Sequence, residues 1–96
     1  MEQQVIITTD SAISIKPVLE AAIRNEQKLL AHGIRRTKER LAAWEKQSNM
    51  SSADFERDFL AGKLSESLDF IEWLGEIRTL RLLESNYHAL ESVQVK

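Results

Sequence analysis

The chain has 96 residues, 43% hydrophobic and 29% charged, with a formal net charge of −2 and no cysteine. That size fits one domain; the balance is too apolar for disorder and too polar for a membrane protein, and disulfides, thiolate metal sites and cysteine nucleophiles are ruled out. The acidic excess lacks the basic footprint of most nucleic-acid binders, and no run of about 18 apolar residues is present to span a bilayer.

The N-terminus, Met1-Glu2-Gln3-Gln4, has neither the basic nor the apolar region of a signal peptide, which points to the cytoplasm. The β-branched run Val5-Ile6-Ile7-Thr8-Thr9 predicts a short strand over residues 5–9. A lone strand needs a neighbour, and the alternating tail Ser92-Val93-Gln94-Val95 is a candidate mate within the chain.

Pro17, the only proline, suits a first helical turn, with Ser14 upstream as a candidate cap. A long helix is expected over residues 17–47. Its stripe of Leu30, Ile34, Thr37, Leu41 and Trp44 has the alternating gaps of a helix packed on another at a shallow angle, and Leu19, Ala22 and Ile23 extend it upstream. Gly33 marks a close contact or a bend. Asn49 accepts the left-handed geometry of a helix terminus.

Ser51 or Ser52 then caps a short helix over residues 52–61, with Phe55 and Phe59 four apart and Gly62 closing it. Ser65-Glu66-Ser67 restarts the chain into a long helix over residues 68–92, striped by Phe70, Trp73, Ile77, Leu80, Leu83 or Glu84, Tyr87 and Leu90, with Ile71 and Leu74 widening the stripe near its start. The expected fold is all-α: a single domain, residues 1–96, in which two long helices form an antiparallel hairpin joined by a short helix. One buried seam is thin for a chain of this size. Apolar residues such as Phe55, Phe59, Ile71, Leu74 and Leu82 are left needing cover, so a dimer or a partner is expected.

Little in the residues points to catalysis. Asp69, Glu72 and Glu76 stand at i, i+3 and i+7 on one helix face. Such carboxylates do acid–base work or hold a divalent metal only with more ligands from a second element, and no matching cluster stands out. A solvated face is the plainer reading, and contact with a basic partner the functional one, since it relieves the Glu72–Glu76 repulsion. Glu84 and His88, four apart, lack the pairing of a zinc-binding helix. No nucleophile elbow or phosphate loop is present. No catalytic, cofactor or metal site is therefore expected. The basic cluster Arg35, Arg36, Lys38 and Arg40 reads as a solvated face interrupted by Glu39. The aromatics Trp44, Phe55, Phe59, Phe70 and Trp73 read first as core, although clustered aromatics also anchor interfaces.

Met50-Ser51-Ser52-Ala53-Asp54-Phe55, then Phe59, Gly62 and Leu64, then Asp69-Phe70-Ile71-Glu72-Trp73 and Gly75-Glu76, resemble a group of small prokaryotic proteins often encoded beside a toxin of the TumE type. Thr9-Asp10 and the start at Pro17 to Glu20 also look like that group, so the similarity spans most of the chain. Its specific part runs from Met50 to Glu76. The chain departs from the pattern at Asn49, where glycine is common, and at Ser65-Glu66-Ser67, which replaces a more acidic stretch.

The resemblance implies an antitoxin: a non-catalytic protein-binding module that silences a toxin protein from an adjacent gene by direct contact. Phe55, Phe59, Asp69, Phe70, Glu72, Trp73 and Glu76 are then the partner-binding residues, the acids facing a basic groove. The alternatives are a structural helical-hairpin homodimer or adaptor and, third, nucleic-acid binding through Arg35 to Arg40.

Overall fold

The computed structural model describes residues 3–6 and 15–95, and the protein is mostly helical. Strand β1 covers Gln3–Val5, helix α1 Lys16–Ser48, α2 Ser52–Leu60, α3 Leu68–Glu91 and strand β2 Val93–Val95. No helix among the described residues is long and apolar enough to cross a membrane.

Helix α1 runs unbroken for 33 residues, which at about 1.5 Å per residue is roughly 50 Å. It accounts for most of the 60 Å long axis of the molecule, the other two axes being 22 and 20 Å. Pro17 sits in its first turn, as the sequence predicts. Ile15 rather than Ser14 holds the capping position and supplies no side-chain hydrogen bond; Ser14 lies outside the described residues. At the far end Asn49 turns left-handed, with φ 52° and ψ 45°. Met50 N–H then donates back to Glu45 O at 3.2 Å, so the final carbonyls keep a partner.

The turn into α2 is held from two sides. Ser51 Oγ accepts the Asp54 N–H at 3.1 Å, and Glu45 of α1 accepts the Ser52 N–H at 2.8 Å. Two of the donors that a helix N-terminus leaves unpaired are thereby satisfied. Gly62, with φ 75°, lets the chain reverse after α2. Ser67 Oγ accepts the Phe70 N–H at 3.1 Å and starts α3.

Contacts between α1 and α3 run in opposite senses along the two helices. Gly33 lies against Leu83, where an added Cβ would stand 3.4 Å from the leucine Cδ1. Further along α1, Arg40 reaches Glu76, earlier in α3. Gly33 is thus a place of close approach and not a break in the helix.

The core sits at the end where α2 links α1 to α3, the hinge, where Leu41, Phe55, Trp73, Leu74 and Ile77 are buried together and Trp44, Met50, Phe59, Leu64, Phe70 and Leu80 pack around them. Towards the strand end, Leu30 is the buried hydrophobic residue of α1.

Strand β1 departs from the predicted range of residues 5–9. It covers Gln3–Val5, and Ile6 follows it outside any regular element. Residues 7–9 lie outside the described part of the chain. The shift has a physical cause, since β-propensity records fit against a neighbour rather than an intrinsic preference. The neighbour here is the three-residue tail strand, paired in parallel with Gln3 opposite Val93 and Val5 opposite Val95. A parallel pair needs a long crossover, and the three helices supply it.

Candidate functional site

The predicted partner-binding residues divide into three kinds. Phe55 and Trp73 are completely buried. Their rings stack 3.9 Å apart and within 3° of parallel, and the Trp73 indole N–H donates to Ser52 Oγ at 2.9 Å. They are therefore the interior of the hinge and present no surface to a partner. The reason is geometric: the Ser51 cap and the Glu45 bond aim the phenylalanine face of α2 inward, onto the start of α3.

Phe59 and Phe70 are half-buried at the edge of this stack. The Phe55 and Phe70 rings meet edge-on at 5.1 Å, and those of Phe59 and Phe70 at 6.3 Å. Such tilted arrangements suit the ring quadrupoles. Each of the two still shows part of its ring to solvent.

The three acids separate as well. Glu76 accepts a hydrogen bond from Arg40 Nε at 2.9 Å, and Arg40 also donates to the buried Thr37 Oγ1 at 3.2 Å. Glu76 Oε2 is buried without a hydrogen-bond partner among the described residues. This glutamate is a structural link between α1 and α3 and not one of an exposed acidic triad. Asp69 and Glu72 are exposed, and neither forms an ion pair among the described residues.

Their neighbours on α2 contrast with them. Arg81 of α3 grips both carboxylate oxygens of Glu56, and that hydrogen bonding holds the Glu56 carboxyl below its ordinary pKa against the opposing pull of burial. Arg57 bonds to Asp54 and Asp58, and its hydrogen bond lowers the Asp58 pKa.

Beside Asp69 and Glu72, the exposed apolar side chains at this end are Leu60, Leu68 and Ile71. Ile71 was visible in the sequence as an apolar residue off the main stripe. Leu60 and Leu68 were missed, because each sits at a helix end where periodicity is weakest. Together Leu68, Asp69, Ile71 and Glu72 make a mixed apolar and acidic surface on the first turns of α3. This is the strongest candidate for an interaction site at the hinge.

Two other features resolve differently. In the basic cluster, Lys38 pairs with Glu84 at 4.0 Å and Arg40 with Glu76, while Arg35 hydrogen-bonds His32 on its own helix. Half of the cluster is thus engaged with α3. His88 Nδ1 lies 2.8 Å from Glu91 Oε1, while Glu84 pairs with Lys38. No group of three metal-binding side chains gathers among the described residues. An open groove of about 680 Å³ lies at the opposite end, between the first turns of α1 and β2.

No family model, curated protein or solved structure matches this chain.

Proposed function

We propose that this chain is a non-catalytic protein-binding module, and that it acts as a cytoplasmic antitoxin holding a toxin protein encoded by an adjacent gene. One observation carries the reading. The first turns of α3 expose Leu68 and Ile71 beside Asp69 and Glu72, while the opposite face of the same helix is filled by α1 and α2. An apolar patch with acids that have no counter-ion among the described residues suits a partner carrying a basic rim around a greasy cleft. A toxin that acts on RNA needs such a basic groove, and the acids then compete with its substrate. Phe59 and Phe70 contribute their exposed edges. Phe55 and Trp73 hold the surface in shape from beneath, and Glu76 fixes α3 against α1.

The test is co-expression. The adjacent reading frame, expressed alone, is expected to arrest growth, and this protein is expected to restore growth and co-purify with its product. A harmless neighbour, or rescue without a complex, overturns the proposal.

A second reading, a structural homodimer or adaptor, is favoured by a different observation. The apolar outer face of α3 does not stop at the hinge but continues to Leu82, which is as exposed as Leu60.

A further inference from the structure

The outer face of α3 has a pattern that neither α1 nor α2 explains. Leu68, Ile71 and Leu82 are 71%, 52% and 62% exposed. Gly75 lies midway between Leu68 and Leu82, seven residues from each, and Ala89 follows at the same spacing. Residues seven apart share one side of a helix, so these four line one exposed stripe, with Ile71 beside it. A Cβ built on Gly75 would meet nothing within 4 Å. No contact among the described residues calls for glycine there, and glycine weakens a helix interior relative to alanine. In the middle of an apolar stripe, its missing side chain lets a second backbone approach closely.

The stripe is complementary to itself. When two copies of α3 are laid antiparallel with Gly75 on the two-fold axis, Leu68 of one copy meets Leu82 of the other. Glu72 of one then stands at the height of Arg78 of the other, twice over. Neither Glu72 nor Arg78 has an ion-pair partner among the described residues; Glu56, near Arg78, is already held by Arg81. Parallel pairing sets Glu72 against Glu72 and Arg78 against Arg78, which is repulsive. The charges therefore choose both the orientation and the register, and the contact has the isologous form of a closed dimer.

We propose that two copies of this chain associate through the outer face of α3, antiparallel, about a two-fold axis at Gly75. The inference deepens the self-association reading and is independent of the toxin. Leu68, Ile71 and Glu72 serve both surfaces, so a second copy and a protein partner exclude one another.

The chain has no cysteine, so single-cysteine variants give clean cross-linking. Under mild oxidation G75C is expected to form a disulfide-linked dimer, and a mixture of L68C and L82C to cross-link where neither does alone. A42C, on the exposed side of α1, is the control and is expected to stay uncoupled. Because a side chain at position 75 perturbs the proposed contact, sedimentation equilibrium on charge variants gives a second reading. E72R and R78E are each expected to weaken the dimer at least tenfold, and the double variant E72R/R78E to restore it. A wild-type chain that stays monomeric at high concentration overturns the proposal. So does a dimer indifferent to E72R, or cross-linking of L68C alone as strong as that of the mixture. R78E lies outside the toxin surface and D69K outside the dimer stripe, so failure of one reading is separable from failure of the other.

Discussion

The two ends of the molecule are built on different physics. At the hinge, each turn is closed by a residue close in sequence: Asn49 ends α1 through its left-handed backbone, and the Ser51 and Ser67 hydroxyls start α2 and α3. These local devices surround an aromatic stack that joins α2 to α3, and Glu45 and Glu76 tie both helices back to α1. At the strand end, two three-residue strands pair at the extreme of the sequence, next to an open groove, and Leu30 is the nearest buried residue of α1. The hinge is over-determined and the strand end under-determined. Surfaces resting on the hinge are thus presented rigidly, and local opening is expected to begin at the strands.

The largest effect should come from breaking the stack. Trp73→Ala removes a fully buried ring and its hydrogen bond to Ser52, and is expected to cost about 3–5 kcal/mol, much of the stability of a chain this size. Ile23→Ala, near the strand end, should cost well under half as much by urea unfolding. Equal losses would erase the contrast.

Next is the polar link. Arg40→Ala leaves the half-buried Glu76 carboxylate without its donor, and a loss of about 1–2 kcal/mol is expected. Glu76→Gln in the Arg40→Ala background should recover part of it, since a neutral amide is cheaper to leave there. Ser67→Ala deletes the cap of α3 and should cost about 1 kcal/mol. Its hydrogen-exchange signature should be confined to the first turn of α3.

The smallest effect is titration. The Glu56 pKa is lowered by its hydrogen bonds from Arg81, so folding gains from the pair fully above the unfolded glutamate value of about 4.3 and loses that gain as pH falls through the lower folded value. Wild type should melt slightly higher than Glu56→Gln at pH 6, and the two should converge near pH 3. Divergence on acidification would place the pair's contribution with the wrong sign.

The three helices were legible because their signals are local. Apolar spacing marked the inner faces, and Asn49, Ser51 and Ser67 marked the ends to within a residue or two. The tail Val93 to Val95, a candidate mate by its alternation, does pair with the N-terminal strand, but propensity set that strand at Val5 to Thr9, and of these residues the described ones place only Val5 in it. The candidate site was read in part. Asp69 and Glu72 are exposed, Phe55 and Trp73 lie in the core, their first reading, and not at the partner surface the resemblance implies, and Glu76 links α3 to α1. In each case the deciding neighbour is on another element: Ser52 for Trp73, Arg40 for Glu76. The i, i+3, i+7 spacing places three acids on one face but does not say which of them a second helix will claim.

That division makes the central claim testable by one comparison. The affinity of the D69K/E72K variant for the co-purified product of the adjacent gene is to be measured beside its melting temperature. The exposed acids form no ion pair among the described residues, so affinity should fall by at least tenfold while the melting temperature, read at a concentration where the chain is monomeric, stays within a few degrees of wild type. Unchanged affinity with unchanged melting would contradict the account and remove the α3 surface as the site of contact.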